Sequence, residues 1–310
     1  GWSAHVRIFA LRGSADSVYQ QLIPIIAPVL ICAGFGFAWA RLGLPFEREF
    51  VTRMIMNIGT PCLILRGMAG LEVEPESFLR VVGIAVVILS ATAVIGGVVL
   101  RIAKQPLRSF LPSAVFGNAG NLGLPLCLFA FGEPGLVLGV AFYLVGSVTQ
   151  FIFGPLFQGR EAAWRILVTT PIIYAALFGL ALLATDTAMP LWLANTVDLF
   201  AGLAIPLMLL ALGYSLANFR VRRAGLATGL AVLRLGLGFG LGLAAVTLLD
   251  LEGTLRGVVL IQSSMPVAVF CFLLAARYDR DPDDVAASIL VSTVAAFLLL
   301  PALLIFALGG

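Results

Sequence analysis

Gly117-Asn118-Ala119-Gly120-Asn121-Leu122-Gly123-Leu124-Pro125 interrupts a stretch, 109–132, that carries no charged residue. That stretch is long enough to cross a bilayer, which takes about 20 apolar residues as a helix. A continuous spanning helix has no use for two amides, three glycines and a proline at its middle. In hydrocarbon every broken backbone hydrogen bond must be satisfied another way, so such breaks survive where backbone lines a cavity. A second break, Gln262-Ser263-Ser264-Met265-Pro266, lies in the charge-free stretch 257–276. Two interrupted helices in corresponding halves of a membrane protein point to a transport site.

The rest of the chain fits a membrane protein. It has 310 residues, 61% hydrophobic and 11% charged, against about 25% charged in soluble domains. Further charge-free runs occur at 19–40, 81–100, 134–159, 166–185, 199–219 and 285–310. Spans at 46–67, with Arg53 near its start, and 224–249, interrupted by Arg234, complete ten. If both termini share one side, thirteen of the nineteen Lys and Arg residues fall on the other, five fall with the termini, and Arg234 lies within a span. The positive-inside rule makes the thirteen-cation side cytoplasmic. The expectation is a multi-pass protein of the cell (inner) membrane with both termini extracytoplasmic. Nothing suggests a nucleic-acid surface. The four cysteines lie inside spans without metal-type spacing, and nothing calls for a cofactor.

Prolines punctuate the two halves alike. Pro24 and Pro171, Pro61 and Pro206, Pro125 and Pro266, and Pro155 and Pro301 are separated by 147, 145, 141 and 146 residues. Five spans is an odd number, so the second copy enters the membrane from the opposite side, an inverted repeat. The predicted fold is therefore an all-α integral membrane protein of ten transmembrane helices in two inverted five-helix repeats. Residues 1–17, too polar for a signal peptide, form an extramembrane segment. The first repeat covers 18–158, a cytoplasmic linker 159–165, and the second repeat 166–308.

Each broken helix offers N–H groups from one half and C=O groups from the other. N-terminal ends attract anions and C-terminal ends attract cations. Asn118, Asn121, Gln262, Ser263 and Ser264 add neutral donors and acceptors, and Gly120, Pro125 and Pro266 loosen the backbone. Such groups could bind a small organic anion, or a sodium ion near Asn118 and Ser263, without a fixed charge. They could also serve only to satisfy the broken backbone and cement packing. Asn57 and Gln150 are further polar residues at membrane depth. Arg234 lies 11 residues beyond Arg223, about 16 Å along a helix, and an intramembrane charge is a functional candidate. It could neutralise carbonyl ends, hold substrate, or snorkel. No carboxylate sits in either break, which favours sodium coupling, uncoupled flux or a proton carried by the substrate. One cluster, Asp279-Arg280-Asp281-Pro282-Asp283-Asp284, permits a different reading, a Mg-dependent intramembrane enzyme. A capped helix start, with Asp281 as cap and Pro282 in the first turn, is the simpler one.

The fourth-span motif Gly117–Pro125, followed by Phe131-Gly132-Glu133-Pro134-Gly135, resembles the signature of the auxin efflux carrier family. Ser264-Met265-Pro266, Ala275, Tyr278, Ser292-Thr293 and Pro301 resemble its ninth- and tenth-span pattern. The resemblance implies a fold shared with bile-acid symporters and sodium–proton antiporters. Helices 1, 2, 6 and 7 would form a scaffold and helices 3–5 and 8–10 a moving transport domain, with helices 4 and 9 crossing at Pro125 and Pro266. It further implies an elevator-type secondary carrier of a mono- or dicarboxylate, coupled to sodium or protons, and a homodimer joined through the scaffold. Auxin itself is disfavoured, because the plant carriers have a long loop where this chain has 158–165. A lipid, sterol or bile-acid-like cargo on the same fold is the alternative, and would need an apolar groove opening laterally.

Overall fold

The computed structural model describes residues 15–69, 75–158, 171–185 and 187–309. The linker 159–165 and nearly all of the N-terminal segment lie outside them. Among the described residues the protein is helical throughout, apart from one isolated antiparallel bridge between Gly117 and Val267. The elements are α1 (Ala15–Arg41); α2 (Arg48–Met54), which runs through a π turn (Ile55–Gly59) into α3 (Thr60–Ala69); α4 (Pro75–Ile102); and α5 (Leu107–Val115). A second π turn (Ala119–Gly123) leads into α6 (Leu124–Gln158). Then follow α7 (Pro171–Ala184), α8 (Leu191–Asn218), α9 (Ala224–Leu248), α10 (Gly253–Ser263), α11 (Val269–Arg277) and α12 (Pro282–Leu308).

Six helical stretches among the described residues are long and apolar enough to cross a membrane: Leu22–Arg41, Glu76–Ile102, Ala119–Gln150, Leu191–Asn218, Ala224–Leu248 and Pro282–Leu308. The chain is a multi-pass membrane protein. Ala119–Gln150 is not one straight rod, because Gly132 (φ 69°, ψ −157°) breaks α6. Only glycine adopts that backbone geometry readily. The chain turns there, immediately before Glu133-Pro134. The outward surface is apolar, with Phe35, Val87, Leu199, Val232 and Leu298 all exposed, as lipid-facing helices require.

Two sets of helices pack internally. In one, α1 lies along α8, and α3 packs on α7 and α8. In the other, α4, α5, α6, α9, α10 and α12 pack on one another. The α1–α8 contact is unusually close. A Cβ on Gly213 would sit 1.8 Å from the Ala33 carbonyl oxygen, and one on Gly36 2.1 Å from that of Leu210. Small residues let membrane helices approach backbone to backbone, where dispersion replaces the missing hydrophobic drive.

Charged contacts collect at two ends. Arg66 of α3 pairs with Glu133 and lies 3.9 Å from Asp198 of α8. At the other end Arg222 meets Asp283 at 2.8 Å, Arg223 meets Asp284 at 3.3 Å, and Ser109 Oγ donates to Asp281 Oδ2 at 2.6 Å. The expected cap at α12 is therefore altered. Asp281 does hold the N-cap position, but at φ 47° and without a side-chain bond to its own helix. Its carboxylate ties α12 to the start of α5 instead.

Gly213→Val should lower stability by about 1–3 kcal/mol through overpacking, whereas Gly202→Ala, with open space beside it, should be nearly neutral. Thermal unfolding of both variants in detergent checks this.

Candidate functional site

The two breaks meet. α5 ends at Val115 and α10 at Ser263, and extended segments carry the chain past each other. Asn118 N donates to the Pro266 carbonyl at 2.7 Å, and Ala268 N donates to the Phe116 carbonyl at 2.9 Å. This pair of bonds flanks the Gly117–Val267 bridge. Ser292 Oγ of α12 accepts from Val267 N at 3.1 Å. Backbone groups freed by two broken helices are thus repaired by a two-residue ribbon and a hydroxyl.

The crossing corrects one sequence expectation. It is centred on Gly117 and Val267, with Pro266 within it, while Pro125 lies inside α6 beyond the second π turn. Proline cannot donate to a helical ladder, and the chain meets that gap with the wider turn, in which Gly123 N reaches the Asn118 carbonyl at 3.1 Å. Single π turns within helices often mark functional sites.

Four helix ends converge here. Both C-terminal ends, of α5 and α10, are met by Arg234. Its Nε donates to the Met265 carbonyl at 3.0 Å, Nη1 to those of Val115 at 3.0 Å and Ala114 at 3.4 Å, and Nη2 to that of Ser263 at 2.7 Å. The side chain is 2% exposed. Each helix C-terminus carries about half a negative elementary charge, so two of them balance one guanidinium. Of the three roles open to Arg234, neutralising carbonyl ends is the one its bonds display. Glycine makes room for it: a Cβ on Gly117 would lie 2.5 Å from Nη2, and one on Gly238 2.1 Å from the Ser263 carbonyl oxygen.

The start of α11 and Asn121 of the second π turn line a cavity of about 440 Å³, whereas Ala119, which opens that turn, borders a different space. Asn121, Val269, Phe270 and Leu273 form one wall; α2, the first π turn and α8 form the other through Arg48, Thr52, Ile55, Met56, Ala211 and Ser215. Asn121 is partly exposed in it.

The remaining candidates do not join Asn121. Gln150 and Gln262 line a separate small space of about 30 Å³ with Tyr143, Ser147 and Arg234. Gln262 Nε2 donates to the Gly139 carbonyl at 3.2 Å, while Gln262 Oε1 and Gln150 Nε2 have no protein partner. A space this size with several polar walls suits a water molecule. Gly123 sits against Gln262, and Gly120 against the Tyr143 ring. Asn118 is buried with its side-chain Nδ2 unpartnered. Ser263 Oγ donates to the Leu260 carbonyl at 3.2 Å. Ser264 Oγ is buried, unpartnered, and borders a third, apolar cavity of about 310 Å³ between α9 and α12. Asn57 is exposed in the first π turn, outside the space that Ile55 and Met56 line. Among the described residues no cluster of His, Cys, Asp or Glu has the make-up of a metal site.

Sequence reading passed over Arg48, Thr52 and Ser215. Each looked like an ordinary residue near a helix end, and only the folding of α2 against α8 brings them to the cavity. It also passed over the pairing of Arg66 with Glu133, although Glu133 belongs to the fourth-span motif.

Crossed, broken helices beside a cavity in an apolar bundle are the arrangement of a membrane transport protein, and comparison with known proteins agrees. Residues 156–304 match the family model described as membrane transport protein. An uncharacterized transporter of Methanothermobacter thermautotrophicus is 28% identical over 303 residues, spanning 92% of this chain and 98% of that protein. Another from Methanocaldococcus jannaschii is 23% identical over 303 residues, spanning 89% and 96%. The second half of the chain is thus similar to membrane transport proteins, and nearly the whole chain is similar to these two transporters.

Removing Arg234 leaves buried carbonyls unpaired at about 1–3 kcal/mol each. Arg234→Met should therefore lower stability by several kcal/mol, more than Arg234→Lys, which keeps the charge but not the fork. Chemical unfolding in detergent would rank the two.

Proposed function

We propose that the protein is a secondary carrier of a small organic anion, a mono- or dicarboxylate, that binds between the two packed sets of helices. The observation that carries this is the sorting of helix ends at the crossing. The two negative ends are buried on Arg234, while the positive start of α11 lines the cavity together with Asn121. A site with a positive helix end and a neutral amide favours an anion. In this reading α1, α2–α3, α7 and α8 are the scaffold, and α4–α6 with α9–α12 are the transport domain of an inverted ten-helix fold. The arginine-rich end, where the cavity opens beside Arg48 and Arg53, is the cytoplasmic one, and both termini lie outside.

Movement of one set against the other gives alternating access. The pairing of Arg66 with Glu133 joins α3 to α6 at the end opposite the cavity, as a closed outer gate would. The coupling ion is a proton, or flux is uncoupled. A sodium ion at Ser263 would compete with the guanidinium already held by its carbonyl. Homodimerisation through α1, α2–α3, α7 and α8 belongs to the same reading.

The apolar cavity behind the crossing favours a second cargo, a lipid or sterol, because Leu299 and Phe306 at its rim are on the exposed surface. It lies within the second helix set rather than between the two, so sliding of the sets would not carry its contents across. An enzymatic reading of the acidic loop has less support still: Asp281, Asp283 and Asp284 are engaged by Ser109, Arg222 and Arg223.

Proteoliposomes given a labelled carboxylate panel under imposed sodium or proton gradients test the proposal. Uptake of at least one carboxylate is expected, with a loss of about tenfold or more in Asn121→Ala and little change in its melting temperature. No uptake of any carboxylate would sink the carrier reading. The outer gate has its own check. A partly exposed ion pair is worth about 0.2–1 kcal/mol, so Glu133→Gln should slow thiol labelling of Thr52→Cys from the arginine-rich side by up to about fivefold.

A further inference from the structure

The polar lining of the large cavity is uneven, and its one uncompensated charge lies away from the crossing. Two arginines border the space, Arg48 and Arg53. Arg53 is exposed and paired with Glu49, four residues earlier on the same helix. Arg48 is half-buried, and among the described residues no ion pair includes it. Its Nη2 donates to Ser215 Oγ of α8 at 3.4 Å, and its guanidinium lies 5.7 Å from the centre of the Phe272 ring of α11. The hydroxyl and the ring orient the fork yet take little of its hydrogen-bonding capacity. A guanidinium has five donors in a plane that matches a carboxylate in a two-bonded fit.

We propose that Arg48 receives the carboxylate of the transported anion, the far end of which lies against Asn121 and the start of α11. This deepens the carrier reading and rests on it. Ile55, Met56 and Leu273 between these ends suit a short carbon body rather than a hydrated inorganic ion. Arg48 lies on α2, which packs on α8, the helix of Ser215 and the partner of α1, whereas Asn121 and Phe272 belong to the other set. A bound anion therefore bridges the two sets while the cavity is open to the arginine-rich end. Displacement of one set against the other would part Arg48 from Asn121 and release the carboxylate from its cation. Arg48 thus sets affinity on one face of the membrane only.

Equilibrium binding to the full chain in detergent tests this, with acetate, malonate, phenylacetate and neutral phenylacetamide as probes. Arg48→Gln should weaken the tightest-bound carboxylate by about tenfold or more. Arg48→Lys should keep part of the affinity, Arg53→Gln should stay within about twofold of the parent, and phenylacetamide should not respond. Carboxylate binding within about twofold of the parent in Arg48→Gln, with Asn121→Ala still defective, would overturn the role of Arg48 and leave the carrier reading standing. Failure of every carboxylate to bind the parent protein would overturn both. Should Arg48→Gln not fold, Arg48→Lys decides, since undiminished affinity with a flexible ammonium in place of the fork would overturn the proposal.

Discussion

A single guanidinium in the middle of the bundle holds the architecture together. Two helices stop halfway through an apolar layer and present their carbonyl ends to each other, which alone would repel. Arg234 stands between them and donates to four backbone carbonyls of two separate segments. Burying a lone charge costs several kcal/mol even after relaxation, and leaving carbonyl ends uncapped in hydrocarbon is costly as well. Each problem offsets the other. The arrangement needs no acid, and because arginine keeps its charge throughout the working range, it needs no particular proton state.

The cap also decides what the opposite side of the crossing can do. With the negative ends occupied, the start of α11 and Asn121 are what the crossing leaves beside the cavity. Polarity beside the cavity thus follows from where one side chain on α9 is aimed. The nearby glycines belong to the same device. Gly117 gives the fork its space, Gly238 lets α9 lie against the end of α10, and Gly242 does the same for the Ser263 hydroxyl.

Much of this was legible in the sequence, for a physical reason. Glycine, asparagine and proline are conspicuous inside uncharged runs, so both breaks and the membrane class could be read directly. The resemblance set the crossing at Pro125 and Pro266; Pro266 lies within it, but on the other helix it falls at Gly117, and the π turn before Pro125 leaves no simple residue signature. Arg234 could be assigned a depth from its spacing to Arg223, but helical spacing does not say which neighbours a side chain meets. Arg48 was hidden by the charge tally that revealed the topology, where an arginine near a helix end counts as one more cytoplasmic cation. Asp281 likewise looked local, and its partner, Ser109, is 172 residues away.

The close approach of α1 to α8 has a mechanical meaning. Where Gly213 faces the Ala33 carbonyl and Gly36 faces that of Leu210, no side chain lies between the backbones to roll or change rotamer. A slide of either helix would drive a neighbouring side chain into main chain, so the two act as one stiff beam. Any deformation the protein undergoes must be taken up elsewhere, at contacts with longer and softer side chains. The beam then supplies a fixed rail along which the rest of the molecule can be measured to move.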